Sequence, residues 1–377
     1  MVQGCKEVDR RMGRREKMKI MKAAIVVFLI LCILVVAAIG ILRAINARKS
    51  RIETSNGIQE NTYVEIGGIK QYLQIRGENQ DNPIILWLHG GPGFPLTYLN
   101  YYYQRDLEKD YTIVCWEQRG CGRTYYANEK NGNLSARQLF SDMDELVDYL
   151  RERFGQEKLI IIGQSWGTVL GAEYSNRFPE KVAAYIGVGQ VVDFSEGKIY
   201  AAENALQKSV KNGNSEDAEL LNRLISQFKT ADSVDDINID ALEKMILKSM
   251  EYLKSDGELS GISQMFIAVT SPEMSWNDAR WFLYASNTGN IFVSQNKLIE
   301  YMYFQFDAKE LKKEYAIPVC FIQGADDWIT PTGLVEEYYN SISSEDKELI
   351  IIKDAGHTPF LDHPDQFCNA VKQFLNQ

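Results

Sequence analysis

This chain has few histidines, no paired cysteines and no excess of positive charge. Its 377 residues include only three histidines, His89, His357 and His363. The six cysteines are scattered, without a C-x-x-C pair or a His/Cys cluster, which argues against a disulfide framework and a metal site. The net charge is −10, and no basic stripe occurs beyond the N-terminal region. We therefore expect no metal, no other cofactor and no nucleic-acid partner.

Charged side chains are also absent from residues 23–42, which form an uninterrupted apolar run. A helix rises about 1.5 Å per residue, so this run spans roughly 30 Å, the hydrocarbon thickness of a bilayer. A cleaved signal peptide is the alternative, but its apolar region normally has about 7–15 residues. A buried core helix would rarely lack polar residues over such a length. The run predicts one transmembrane helix at residues 23–42, and its cleavage stays open.

The charges that flank this run predict its orientation. Eight Lys or Arg residues and three acidic residues precede it, whereas four Lys or Arg residues follow it before residue 52. The positive-inside rule then predicts a basic cytoplasmic arm at residues 1–22 and an extracytoplasmic location for everything after the helix. Residues 43–60 are predicted to be a polar linker.

Beyond the linker, apolar strands alternate with helical patterns. A hairpin is predicted at residues 62–66 and 70–75, and helices are predicted at Ala136–Phe154 and 334–341, among others. This alternation predicts an α/β fold with a mostly parallel sheet covered by helices. The other predicted strands are at residues 84–88, 112–116, 159–162, 184–188, 319–322 and 348–352.

Residues 192–310 interrupt the alternation, since they are helix-prone and charged, with few strand signals. They predict a helical lid inserted between two parts of the core, residues 61–191 and 311–377. Two roles stay open for the lid glutamates, binding a substrate ammonium or lying on solvated helix faces: Glu196, Glu203 and Glu251. Two roles also stay open for the lid aromatic residues, lining a pocket or packing between helices: Phe266, Trp276, Trp281, Phe282 and Tyr284.

The segment that says most about chemistry is Gly163-Gln164-Ser165-Trp166-Gly167. It lies between an apolar strand and a helix-compatible run, which is the context of a G-x-S-x-G nucleophile elbow. Such a turn strains the serine backbone and exposes Oγ, and glycines on both sides avoid a clash. A purely structural Gly-rich turn is the alternative when the motif is taken alone.

A serine nucleophile needs a base, and the base needs an orienting acid. His357 lies just after the predicted strand 348–352, and Asp327 lies just after the predicted strand 319–322. The chain order Ser165, Asp327, His357 is the order that accompanies this type of elbow. We therefore predict a catalytic triad of these three residues, with His357 as general base.

An oxyanion hole is predicted from residues 89–93, His-Gly-Gly-Pro-Gly, which follow the strand Ile84–Leu88. Acyl transfer passes through a tetrahedral oxyanion that needs two N–H donors. One N–H belongs to Trp166, the residue after the nucleophile, and the other is assigned to Gly91. His89 is interpreted as a structural histidine that holds this loop.

Three motifs together carry a family resemblance: residues 89–93, 117–124 (Glu-Gln-Arg-Gly-Cys-Gly-Arg-Thr) and 163–167. They resemble the proline iminopeptidase branch of the α/β-hydrolases, whose members usually read HGGPG, DQRGxGRS and GxSWG. The resemblance covers residues 60–190 and 311–377. It implies an α/β-hydrolase fold and a serine peptidase that removes an N-terminal residue, often proline, from short peptides.

The resemblance also bears on the choice of the acid. Family members usually carry it three residues after the glycine that ends the strand, here Gly324, which implies Asp327. Asp326 is the alternative acid and would otherwise be a turn residue. His363 precedes Pro364 and a predicted terminal helix, which favours capping or surface packing.

The sequence departs from the family in two ways. Glu117 and Thr124 replace the usual Asp and Ser, which are conservative changes. The family holds the free α-amine of the substrate with lid glutamates, one of them in a W-x-x-W-E segment that this chain lacks; the nearest aromatic stretch is residues 276–282. The substrate-binding residues therefore stay unassigned, as does the oligomeric state. A carboxylesterase acting on small or lipid esters is the alternative function, and a non-catalytic membrane-tethered binding protein is a third.

Overall fold

The fold is built on one eight-stranded sheet with strand order β1-β2-β4-β3-β5-β6-β7-β8. The computed structural model describes residues 2–254 and 257–376, and for residues 2–17 only the backbone. The strands are β1 (Ile58–Ile66), β2 (Ile69–Gly77), β3 (Ile84–Leu88), β4 (Thr112–Glu117), β5 (Leu159–Gln164), β6 (Val182–Val188), β7 (Val319–Gly324) and β8 (Lys347–Ile352). β1 pairs antiparallel with β2, as does β2 with β4, and every later pair is parallel. The predicted mostly parallel sheet is confirmed.

Helices connect the strands and cover both faces of the sheet. Short 3₁₀ turns occur at Thr97–Leu99, Leu107–Lys109, Val234–Asp236 and Ala308–Glu310, and a π turn occurs at Tyr301–Gln305. The α-helices are α1 (Val2–Lys49), α2 (Asn100–Tyr103), α3 (Gly122–Tyr126), α4 (Ala136–Phe154), α5 (Trp166–Arg177), α6 (Phe194–Lys211), α7 (Ser215–Phe228), α8 (Ile239–Leu253), α9 (Gly261–Val269), α10 (Trp276–Ala285), α11 (Thr288–Ser294), α12 (Asn296–Glu300), α13 (Thr332–Ser341), α14 (Pro359–Asp362) and α15 (Pro364–Leu375).

The central strands are buried on both faces, and alternate residues pack into two different apolar layers. In β3, Leu86 and its alternate neighbours pack with residues of α4 and α5. Trp87 points the other way and contacts Phe360 of α14 and Phe367 of α15. Successive side chains of β3 point to opposite faces of the sheet, and both faces are covered by apolar layers. The strand is therefore a continuous apolar run rather than an alternating one.

Seven helices, α6–α12, lie between β6 and β7 within the described residues. This group, called the helical insertion below, spans the part of the sequence where a lid is expected. α6, α7 and α8 pack on one another, and α10 packs against α3 of the core. Ser275 and Asp278 form a reciprocal capping box that starts α10 at Trp276. Four residues of the predicted arm, lid and core ranges lie outside the described residues: Met1, Ser255, Asp256 and Gln377.

α1 extends beyond the apolar run and continues to Lys49, through the first residues of the expected linker. The segment Met18–Lys49 is the one helix in the described part of the chain with the length and composition to cross a membrane. A signal sequence near an N-terminus has the same properties. Its apolar side chains are exposed throughout residues 23–36, so α1 is not a core helix of this domain.

Candidate active site

Ser165 stands at a sharp turn between the end of β5 and the start of α5, with φ 52° and ψ −119°. A Cβ built on Gly163 would lie 2.4 Å from the Gly167 carbonyl oxygen, and one on Gly167 would lie 2.1 Å from the Leu88 carbonyl oxygen. Both positions therefore require glycine for steric reasons. The Ser165 N–H donates to the Val188 carbonyl at 2.9 Å, which ties the turn to the end of β6.

His357 and Asp327 come from the loops after β8 and β7 and form a hydrogen-bonded pair. His357 Nδ1 lies 2.9 Å from Asp327 Oδ2. The carboxylate also accepts hydrogen bonds from the N–H groups of Ile329 and Thr330 and from the Thr330 hydroxyl, at 2.8–2.9 Å. Because the carboxylate accepts, Nδ1 carries the proton and Nε2 is the ring nitrogen left as a base.

Asp326 has a different position from Asp327. Its N–H donates to the Ala355 carbonyl at 3.0 Å, and its side chain is partly exposed. Asp327 is buried and faces His357. Of the two adjacent carboxylates, the structure brings only Asp327 to the histidine.

The environment of Asp327 keeps its carboxylate charged. Burial by itself raises the pKa of Asp327, but the adjacent His357 and the hydrogen bonds from His357 and Thr330 outweigh it, so the pKa lies below its ordinary value. The acid of the pair is therefore ionised at neutral pH and accepts the hydrogen bond from His357 Nδ1.

The turn that carries Ser165 and the loop that carries His357 meet at Gly189, which directly follows β6. A Cβ built on Gly189 would lie 2.9 Å from His357 Cε1 and 3.4 Å from Asp327 Oδ2. The preceding residue, Val188, accepts the hydrogen bond from Ser165. Within the described residues the Ser165 hydroxyl forms no hydrogen bond. All three predicted triad residues thus lie at the carboxyl edge of the sheet, with the pair of His357 and Asp327 already hydrogen-bonded.

The loop at residues 89–93 lies beside the serine. A Cβ on Gly90 would stand 3.1 Å from Ser165 Cβ, and Gly91 has φ +119°, which strongly favours glycine. The Gly91–Pro92 peptide bond is cis. Within the described part of the chain, neither the Gly91 N–H nor the Trp166 N–H has a hydrogen-bond acceptor. The two predicted oxyanion donors are therefore free to bind a substrate oxygen.

His89 fixes the conformation of this loop from inside the protein. Its Nδ1 donates to the Gly90 carbonyl at 2.9 Å, and its Nε2 accepts from the Gln118 N–H at 3.2 Å. Burial lowers the pKa of His89 to about 4, although the Gly90 hydrogen bond opposes the shift. His89 is thus a neutral, fully engaged histidine, as the sequence suggested.

His363 neither caps a helix with its side chain nor joins the site. It precedes α15 without a side-chain capping bond, and its Nε2 donates to the Asp354 carbonyl at 3.0 Å. It links the start of α15 to the loop that carries His357.

Several residues near the site could not be identified from sequence. Trp281 of α10 donates from Nε1 to the Gly93 carbonyl at 2.7 Å, and Gln295 donates to the Gly120 carbonyl at 2.9 Å. The partners are 188 and 175 residues apart in the chain. No local pattern marks such contacts, because they depend on how the helical insertion docks on the core.

A buried ion pair joins the same two parts of the protein. Arg123 of α3 makes a bidentate contact with Asp278 of α10, with Nη2–Oδ2 at 2.7 Å. Glu117 lies beneath it and accepts from the Arg123 N–H at 2.6 Å and the Thr97 hydroxyl at 2.5 Å. Burial raises the pKa of Glu117 to about 7, against the effect of Arg123. Glu117 and Arg123, both in the motif at residues 117–124, therefore help to hold α10 against the core near the candidate site.

Lys198 of α6 is a second buried cation behind the acid loop. Its Nζ donates to the Ile329 carbonyl at 3.1 Å and lies 4.1 Å from the centre of the Phe194 ring. Burial lowers the pKa of Lys198 to about 8, and Asp327 partly offsets this shift. Lys198 therefore anchors α6 to the loop that holds the acid.

The lid glutamates considered from sequence are engaged at the surface. Glu196 pairs with Lys309, Glu203 pairs with Lys229 and Glu251 pairs with Lys248, at 2.5–2.7 Å. These carboxylates are half-exposed. Of the two roles left open for them, the solvated helix face is the one observed.

Comparisons with known proteins agree with this geometry. A family model described as alpha/beta hydrolase fold matches residues 83–364. The chain is 26% identical over 314 residues to "Probable aminopeptidase YbaC" of Bacillus subtilis (strain 168), covering 82% of this chain and 94% of that protein. It is 24% identical over 319 residues to a proline iminopeptidase of Heyndrickxia coagulans, covering 83% and 98%. The crystal structure of a Mycobacterium smegmatis proline iminopeptidase superposes with a TM-score of 0.59 at 17% identity, over 84% of this chain and 98% of that one, which is a likeness of fold. The predicted relationship to proline iminopeptidases is confirmed as a distant homology.

Proposed function

The chain belongs to the α/β-hydrolase fold family, and from that premise we propose that it is a membrane-anchored serine hydrolase with Ser165, His357 and Asp327 as its triad. The observation that carries the proposal is the 2.9 Å pair of His357 and Asp327, which lies against Gly189 beside the strained Ser165 turn. This combination of a strained serine, an oriented base and a buried ionised acid is what acyl transfer requires.

In the proposed mechanism, Nε2 of His357 takes the proton of the Ser165 hydroxyl while Oγ attacks the substrate carbonyl carbon. The carbonyl oxygen becomes an oxyanion held by the Gly91 and Trp166 N–H groups. Asp327 stabilises the imidazolium that forms. As the tetrahedral intermediate collapses, His357 gives its proton to the leaving group. Water, deprotonated by the same histidine, then releases the acyl group from Ser165.

We propose an aminopeptidase that releases an N-terminal, proline-like residue from short peptides. The distant homology to proline iminopeptidases supports this reaction. Such an enzyme needs a carboxylate for the substrate ammonium. Glu258, in the helical insertion, has its Oε1 2.3 Å from the position that a Cβ on Gly356 would occupy, next to His357. It is the carboxylate we propose for that role.

A carboxylesterase acting on small or lipid esters is the second candidate. The observation that favours it is the position of the three lid glutamates considered from sequence, which lie on solvated helix faces: Glu196, Glu203 and Glu251. An esterase needs no ammonium site, whereas it needs the same triad and oxyanion donors.

We further propose that residues 23–42 are an uncleaved transmembrane helix, with the N-terminus cytoplasmic and the catalytic domain extracytoplasmic. The length of the run, its exposed apolar surface and the basic arm before it support this arrangement. A cleaved signal sequence remains the competing interpretation.

The function is tested with the full-length protein in detergent and three substrates: a prolyl aryl amide, its N-acetylated form and a short-chain aryl ester. We expect cleavage of the free-amine amide that is lost on acetylation. Ser165→Ala should abolish turnover of every substrate. If Ser165→Ala leaves hydrolysis unchanged, the triad is wrong and a non-catalytic binding protein becomes the better interpretation.

The ammonium site is tested separately with Glu258→Gln, and Glu251→Gln serves as the matched control in the same helical insertion. We expect Glu258→Gln to raise KM for the free-amine amide by about tenfold or more, with little effect on the ester, because a charge-assisted hydrogen bond is lost. Ester turnover alone in the wild type would keep the mechanism and discard the peptidase assignment.

A further inference from the structure

An apolar surface lies exposed on two helices of the helical insertion. The five side chains, called the α9–α10 patch below, are each between 55% and 84% exposed. Large apolar side chains exposed together usually mark an interaction site rather than an accident of packing. The patch consists of Ile262, Met265 and Phe266 on α9 and of Trp276 and Leu283 on α10.

The spacing of these residues makes one outward stripe on each helix. Ile262, Met265 and Phe266 stand at positions i, i+3 and i+4, and Trp276 and Leu283 are seven residues apart. The opposite faces of both helices pack inward, through Ile267 of α9 and Trp281 of α10. The stripes are therefore surfaces of well-packed helices that lack a covering element among the described residues.

The connection between α9 and α10 is bonded to α1. Arg43 donates from Nη2 to the Met274 carbonyl at 2.5 Å, and Asn46 donates from Nδ2 to the Thr270 carbonyl at 3.0 Å. Thr270 is the C-cap residue directly after α9, and Met274 lies just before α10. These bonds place the connection between α9 and α10 beside α1, with Phe266 four residues before Thr270 and Trp276 two residues after Met274.

The position along α1 sets the depth of the patch. Arg43 directly follows the apolar run at residues 23–42, and Asn46 is three residues further, or about 4.5 Å along the helix. Side chains beside Arg43 and Asn46 then lie at the boundary between acyl chains and headgroups, a zone of about 5–10 Å into which amphipathic helices insert.

We propose that the α9–α10 patch docks on the lipid bilayer from which α1 emerges, so that the helical insertion lies on the membrane surface. This inference rests on the proposed anchoring of α1. The chemistry fits a membrane interface, because Trp276 is of the type enriched there. Exposed Arg280 stands between Trp276 and Leu283 on the same stripe and would meet lipid phosphates. Arg48, Lys49 and Arg51 add positive charge at the end of α1.

The docking would also connect the bilayer to the active site. The inward face of α10 carries Trp281, which donates to the Gly93 carbonyl of the oxyanion loop, and Asp278, which pairs with Arg123. One face of the same helix thus contacts the lipid surface while the other supports the catalytic loop. Substrates that partition into the membrane interface would reach the site beside the patch.

The experiment uses the full chain in nanodiscs of phosphatidylcholine and phosphatidylglycerol, with an environment-sensitive fluorophore on a single reactive cysteine. Cys5→Ser and Cys32→Ser provide the background, and the four other cysteines are buried. Met265→Cys labels the patch. Leu247→Cys is the matched control, because Leu247 is also more than half exposed and lies on α8, which packs against α6 and α7. Leu29→Cys labels the apolar run of α1.

We expect quenching of the Met265→Cys label by nitroxide-labelled lipids to exceed that of the Leu247→Cys label by about twofold or more, since the first lies in the interface. Equal quenching of the two, with strong quenching at Leu29→Cys, would overturn the docking and leave the anchor intact. A blue-shifted but unquenched Met265→Cys label would also overturn it, since the patch would then face protein, such as a second copy. Absence of quenching at Leu29→Cys would overturn the anchor and the docking with it.

Discussion

At the scale of single residues, the site depends on positions where backbone strain is held by close packing. Ser165 has φ 52°, a conformation that costs a non-glycine residue about 1–3 kcal/mol. The glycines at 163 and 167 let two carbonyl groups approach within distances that a Cβ would not tolerate. The close packing at these two glycines therefore holds the Ser165 turn in its strained conformation.

Gly189 offers a direct test of this packing. Gly189→Ala would place a Cβ 2.9 Å from His357 Cε1, so we expect the histidine to shift and kcat for the ester to fall by about 10²-fold. Gly213→Ala is the matched control, because Gly213 also has positive φ but nothing lies within 4 Å of its Cβ position. Gly213→Ala should lose stability through the same backbone strain yet keep its kcat. Equal kcat values for the two variants would contradict this account.

His89 predicts a pH dependence of stability. Its pKa falls to about 4 in the folded protein, so between about pH 6.5 and pH 4 the unfolded chain binds a proton that the folded chain does not. Stability should therefore be lost as pH falls through this window, by at most about 1.4 kcal/mol per pH unit from this residue. We expect the melting temperature of His89→Gln to be lower at pH 7 but to fall less steeply between pH 7 and pH 5 than that of the wild type. If the melting temperatures of the wild type and of His89→Gln fall equally steeply with pH, His89 is not the source of the pH dependence.

At the scale of elements, α10 is the helix that connects the helical insertion to α3 and to the loop at residues 89–93. Asp278 compensates the buried charge of Arg123, and Trp281 satisfies the Gly93 carbonyl. Breaking a buried ion pair from one side costs about 3–5 kcal/mol, so this contact holds the helix strongly in place. The position of the proposed oxyanion loop thus depends on a helix far away in sequence.

Trp281→Phe tests this dependence while keeping most of the buried ring. The variant leaves the Gly93 carbonyl without a donor, at a cost of about 1–3 kcal/mol, and should lower kcat by about tenfold by loosening the oxyanion loop. Tyr284→Phe on the same helix removes a more exposed hydrogen bond, at 3.3 Å to the Asn290 carbonyl, and should leave kcat unchanged. The measurement is steady-state hydrolysis of the aryl ester together with thermal unfolding. A fall in melting temperature without a change in kcat would restrict Trp281 to a structural role.

At the scale of the whole molecule, a basic arm, an apolar helix and an acidic hydrolase domain follow one another along the chain. The net charge of −10 includes the basic arm, so the remainder is more acidic still. An acidic domain would be repelled by an anionic membrane, and the basic residues that flank the apolar run would offset this repulsion locally. The proposed orientation follows from the larger number of Lys and Arg residues before the apolar run than directly after it.

The orientation is testable with an epitope tag at each terminus and proteinase K applied to intact spheroplasts. We expect the C-terminal tag to be digested while the N-terminal tag is protected, because the basic arm stays in the cytoplasm. Both tags should remain with the membrane after alkaline extraction. A mature protein that has lost its N-terminal tag and leaves the membrane would identify a signal sequence instead.

The local features could be predicted from the residues alone: the strands, the Ser165 turn, the glycine loop at residues 89–93 and the apolar run. Each of these follows from residue types at short spacing, where sterics and periodicity act within a few residues. The tertiary structure turns Asp327, and not Asp326, toward His357, because adjacent residues differ in the direction they face and not in composition. It also decided that Phe266 and Trp276 are exposed beside α1 while Trp281 is buried against Gly93. Such contacts join residues more than a hundred positions apart, and they arise from the packing of whole helices, which no local pattern encodes.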